Sequence, residues 1–180
     1  MDKIASSLVV SKRTIYEQFE GKEELVKACM EEYKKERDAF AECLRSQTEN
    51  SFQFLLEIFK DSFNMFQKIN LQFFSDIESM FPNHIEHMKM NKPAQLLKFR
   101  NLIAESQEDG YIEKSLSPEV LSVVYYGMLY SLRDKEAYDF SKNSVAEVLR
   151  VLVITFFKGV ASPKGLKMIE KYEKEFDREI

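Results

Sequence analysis

Apolar residues recur at helical spacing along almost the whole chain, and residues that would break the pattern are scarce: 5 Gly and 4 Pro among 180. Side chains at i, i+3 and i+4 share one helical face, so such a chain must bury stripes between helices instead of alternating across a sheet. Composition points the same way. There are 15 Phe and 8 Met and no Trp, whereas sheet proteins of this length need many more turn residues. The expected fold class is all-α, and so much Phe implies a bulky core or an apolar cavity.

The few breaks are informative. Ser11 suits the N-cap of a short helix ending near Phe19, and Gly21 then stops it. A long helix follows from Lys22 to about Arg45. Phe52, Leu55, Leu56, Phe59, Phe63 and Phe66 mark the next, and Phe81-Pro82-Asn83 is a break. Pro93 can open a helix that Asp109-Gly110 closes, with Gly as a left-handed cap. Ser117-Pro118-Glu119 starts another, through Val120 to Leu132. Ser144 to Gly159 and a last helix from Ser162-Pro163 complete the series, the last carrying a stripe of Leu166, Ile169, Tyr172, Phe176 and Ile180.

Charge and cysteines narrow the possibilities. A net charge of −4 argues against coating nucleic acid through bulk positive charge, though not against one small DNA-contacting patch. Cys29 and Cys43 in one helix would stand about 21 Å apart, beyond disulfide reach. They read as reduced, buried, small apolar residues of a cytoplasmic protein. Asp2 and Lys3 precede only a short apolar stretch, unlike a secretory leader. The longest apolar run, Val148 to Phe157, is about half what a membrane-spanning helix needs.

The opening segment has a tight internal logic. Ile4, Leu8, Val10 and Ile15 have the spacing that holds two short helices at a steep angle, and Ala5 sits where the second crosses closely. After the turn, Ser11-Lys12-Arg13-Thr14-Ile15-Tyr16 opens a helix with two cations and several donors, the end of a recognition helix that meets phosphates and base edges. Met1-Asp2-Lys3-Ile4-Ala5, then Val10 through Tyr16, then Phe19 and Lys22-Glu23-Glu24-Leu25, together resemble the DNA-binding segment of the tetracycline-repressor (TetR) family. Val9 occupies a turn position whose backbone favours positive φ. A β-branched residue pays of order 1–2 kcal/mol there, so either the turn is wider or the strain is tolerated.

The resemblance implies a helix-turn-helix head at residues 1–24, lacking a further helix that the family places before it, and a helical ligand-binding and dimerisation body at residues 25–180. It implies that Lys12, Arg13, Thr14 and Tyr16 face the major groove and its flanking phosphates. Ser11 would cap the recognition helix, and Lys22 would bind a phosphate. It also implies a cavity for a small hydrophobic or aromatic effector. Phe52, Phe59, Phe63, Phe66, Phe73, Phe74, Tyr125, Tyr126 and Met128 are the candidates on sequence, although for any one of them plain core packing is the commoner role. A homodimer is expected, because Val120–Leu132 and Ser144–Phe157 are apolar on more than one face.

Evidence for catalysis is missing. His84 and His87 lie at i, i+3 but have neither Cys nor a further ligand nearby, and they read as a solvated pair. Asp76 and Glu78 point to different helical faces, and neither a phosphate loop nor a nucleophile elbow is present. No cofactor, metal or membrane partner is expected. The resemblance thus implies a transcription regulator, a repressor released from operator DNA by its effector. The other reading is a helical, dimeric small-molecule-binding or scaffold protein that has lost DNA binding.

Overall fold

The computed structural model describes residues 1–68, 92–132 and 144–176. Phe73, Phe74, Asp76, Glu78, the Phe81-Pro82-Asn83 break, His84, His87 and Ile180 lie outside them. The helices are α1 (Asp2–Ser7), α2 (Lys12–Gln18), α3 (Lys22–Gln47), α4 (Ser51–Lys68), α5 (Lys92–Glu108), α6 (Pro118–Ser131), α7 (Val145–Val160) and α8 (Pro163–Phe176). Among the described residues the only β-type pairing is an isolated bridge between Ile112 and Ala161. The fold is all-α. The chain divides into two compact units, Met1–Cys43 and Leu44–Ile180.

In the second unit, local chemistry sets the helix ends. Ser117 accepts a hydrogen bond from the Val120 N–H, with Pro118 in the first turn of α6. Ser144 and Glu147 form a reciprocal capping box at the start of α7. Gly110 takes the left-handed conformation, φ 78°, just beyond α5.

Between these helices lies one core. Phe52, Leu56, Phe59 and Phe63 of α4, Phe99 and Ile103 of α5, Val153 and Phe157 of α7, and Ile169 and Tyr172 of α8 are buried in it. Polar groups at its edge are satisfied. Arg45 reaches Ser51 at 3.0 Å and Glu105 at 3.5 Å, and Ser51 also donates to Glu105, tying the start of α4 to α5. The Gln107 amide donates to the carbonyls of Glu113 and Leu116, both at 2.7 Å, and so fixes the loop that leads into α6.

Three sequence expectations are corrected. Cys29 and Cys43 are exposed. No residue of α3 is buried, and half of its 26 residues are charged. Periodicity identifies the apolar side of a helix but not whether another element covers it. Leu166 is exposed at the margin of α8, where Met168 packs against the core beside Ile169 and Tyr172. The third correction, at Leu8 and Val10, belongs to the first unit.

Candidate nucleic-acid interface

Helices α1 and α2 meet through two small contacts. Ala5 and Ile15 are buried, at 5% and 6% exposure, whereas Leu8 is 63% and Val10 40% exposed. A two-helix corner has only one inner side, so four apolar positions at helical spacing cannot all reach it. The small side chain of Ala5 is what allows the close crossing.

The turn between them is a Schellman closure. The Val10 N–H donates to the Ala5 carbonyl at 3.0 Å and the Val9 N–H to the Ser6 carbonyl at 3.3 Å. Val9 therefore sits at φ 55°, a left-handed backbone carrying a β-branched side chain. Of the two possibilities the sequence leaves open, a wider turn or a strained one, the strained one is realised. Val9 is 91% exposed, so no packing of its side chain offsets that strain.

Beyond the turn, the Ser11 hydroxyl caps α2 by accepting from the Thr14 N–H at 3.0 Å, and it lies 2.8 Å from the Thr14 hydroxyl. With Ile15 turned inward, Lys12, Arg13, Thr14 and Tyr16 are left on the solvent side of α2. Lys22, also exposed, opens α3, whose start is braced by the Glu24 carboxylate accepting from the Glu20 N–H at 2.5 Å. All six residues singled out in the sequence thus lie on or beside one short, capped, outward-facing helix or at the start of the next.

Both cations at the front of α2 have internal partners. Lys12 pairs with Asp2 of α1, and the Arg13 Nε donates to Glu17 at 2.9 Å. The hydrogen bond to Lys12 holds the Asp2 carboxyl below its ordinary value, and the same bond raises the Lys12 ammonium above its own. Glu17 could have been found from the i, i+4 spacing. Asp2 could not, since it lies ten residues from Lys12 and is brought to it only by the turn.

Two short helices joined by a strained corner closed by two hydrogen bonds, the second helix capped and bearing solvent-facing cations, are the pattern of helix-turn-helix DNA-reading units. Residues 1–29 match the family model described as bacterial regulatory proteins, tetR family. Over this segment the chain is similar to the DNA-binding regulators of transcription of that family. No curated protein and no solved structure matches the chain.

The candidate effector residues in the second unit share one core. Phe52, Phe59 and Phe63 are buried, and Phe66, Tyr125, Tyr126 and Met128 pack partly buried against the same core. Phe74 lies outside the described residues. Phe157 links the two groups, 5.7 Å from Phe52 and 6.1 Å from Tyr125. Phe99 stacks on Tyr125 at 4.2 Å, and Phe156 lies 5.1 Å away. Phe99 does not stand out in the sequence, because a lone aromatic on a helical face carries no signal of its partner, and Phe156 reads there only as part of the apolar Ser144–Phe157 segment expected at a dimer face. Desolvation pushes the Tyr126 phenol up from the ordinary tyrosine value and Tyr125 further still.

Among the described residues, no helix is long and apolar enough to cross a membrane.

Proposed function

We propose that this protein is an effector-responsive repressor that reads operator DNA through α2 and responds to a small hydrophobic or aromatic compound bound in its second unit. One observation carries the DNA-reading part. The corner at Val9 buries Ile15 and so presents Lys12, Arg13, Thr14 and Tyr16 together on the open side of a capped helix. In this reading Tyr16 and Thr14 meet base edges or sugar, Lys12, Arg13 and Lys22 meet phosphates, and Ser11 holds the helix start.

A homodimer is part of the proposal. Val120, Val123, Val124 and Tyr130 form an exposed apolar stripe on α6 with Gly127 within it, and Val151 is exposed on α7. A second copy covering this stripe by two-fold symmetry would give the assembly two α2 helices, one for each half of a two-fold symmetric operator. The Tyr125–Tyr126 network is the proposed effector site, with phenol hydroxyls as orienting groups in an aromatic surround. An effector that prefers the conformation unable to bind DNA lowers operator affinity, and α3, which leaves the recognition corner and continues to Gln47, is the proposed carrier of that change.

Selection of bound duplexes from a random-sequence pool tests the reading. Enrichment of a two-fold symmetric site, lost on replacing Tyr16 by Ala, is the expected result. Failure to enrich any sequence favours the second reading, a helical dimeric scaffold or small-molecule-binding protein without DNA affinity.

A further inference from the structure

The recognition corner is not electropositive. Residues 1–24 carry four cationic and five carboxylate side chains, so the segment exerts no long-range attraction on a duplex. Its two foremost cations, moreover, are already engaged: Lys12 by Asp2 across the corner, and Arg13 by Glu17 one turn further along α2. All four side chains lie at the surface, with 53% and 75% exposure for Lys12 and Asp2. Pairs so exposed are weak and break easily.

From this arrangement we infer that Asp2 and Glu17 are specificity-determining residues, which hold Lys12 and Arg13 back from DNA of arbitrary sequence. The inference rests on the reading above, in which α2 meets DNA. A phosphate that approaches Lys12 or Arg13 must displace a carboxylate, which then remains a few ångströms from the phosphate with the same sign of charge. On DNA of random sequence nothing offsets that repulsion. On a matching site the base contacts of α2 do. The result is a lowered background of phosphate-driven binding, which otherwise dominates the affinity of basic recognition helices. The lowered Asp2 carboxyl and raised Lys12 ammonium mean that both partners stay charged across the neutral range.

The experiment measures binding of the full chain to a random-sequence 20-base-pair duplex at low and at high salt. The variants are Asp2→Asn, Glu17→Gln, the double change, and Lys12→Ala with Arg13→Ala. Each carboxylate removed should tighten random-duplex binding roughly threefold at low salt, the double change about tenfold, with the gain fading at high salt. A gain in affinity cannot arise from loss of folding. If Asp2 served only to staple α1 to α2, Asp2→Asn would loosen the corner and weaken binding. Unchanged or weakened binding by the carboxylate variants, with loss on Lys12→Ala and Arg13→Ala, overturns the inference and leaves DNA reading by α2 intact. If removing Lys12 and Arg13 changes nothing, the assignment of α2 to DNA fails as well.

Discussion

The Val10 N–H donates to the Ala5 carbonyl at 3.0 Å, and this bond closes a corner in which Val9 is forced to φ 55°. Sequence, strain and function meet at this point. The bond fixes the direction in which α2 leaves the corner, and the strained residue, fully in solvent, gains nothing from packing.

Val9→Gly should therefore stabilise the corner. Glycine removes a left-handed cost of about 1–2 kcal/mol and adds a smaller unfolded-state entropy cost, for a net gain of about 1 kcal/mol or less. Greater amide-exchange protection of Val10, whose N–H makes the closing bond, is the measurement that checks this. Reduced protection would show that the corner is unstrained.

The corner also shows what a sequence can disclose. Ser11, Ser117-Pro118, Ser144 with Glu147, and Gly110 were legible because a cap is a contact between residues three or four apart, or a backbone angle only Gly adopts cheaply. The backbone demand at Val9 was legible for the same reason, though not whether a wider turn or strain would meet it. Exposure of Cys29 and Cys43 was not, because helical spacing says nothing about what lies opposite. Nor was the Asp2–Lys12 pair, or Phe99 beside Tyr125, since both depend on how the chain returns. Of the candidate site, the grouping of Ser11 to Tyr16 could be read directly. The internal neutralisation of its cations could not.

Gly165 is a further long-range constraint that the sequence does not reveal. A Cβ there would stand 2.1 Å from the Tyr111 carbonyl oxygen, whose own bond to the Ser162 N–H pins the start of α8 to the loop after α5. Gly165→Ala should cost about 2–3 kcal/mol, read as a fall in the denaturation midpoint of the purified protein. A midpoint equal to wild type would mean that α8 does not dock so closely.

Tyr125 predicts an alkaline weakness. Its phenol, like that of Tyr126, is raised above the usual value of 10 by desolvation. The folded state thus holds the proton more tightly than the unfolded chain does. That contribution is fully present below pH 10 and is lost progressively as pH rises above it toward the folded-state value. Ultraviolet titration should show tyrosines that resist ionisation above pH 10 until the core opens, and Tyr125→Phe should move unfolding to higher pH. Ionisation of all 8 tyrosines at the ordinary value, with the fold intact, would contradict the packing of this core.

The apolar stripe on α6 and α7 leads to a prediction about assembly. Val123 and Val151 are 59% and 64% exposed in the single chain. Replacing both by Glu should give a folded monomer by light scattering where the parent is a dimer, since a charge buried without a partner at such an interface is severely destabilising. A parent that is itself monomeric at micromolar concentration would refute the dimer.

The central claim is that DNA meets α2. Photocrosslinking the full chain to a halogenated-pyrimidine duplex, followed by peptide mapping, tests it most directly. The account predicts crosslinks confined to the peptides holding Lys12 to Tyr16 and Lys22, abolished by Tyr16→Ala together with Lys12→Ala. Crosslinks that fall within Leu44–Ile180 and survive those substitutions would contradict it.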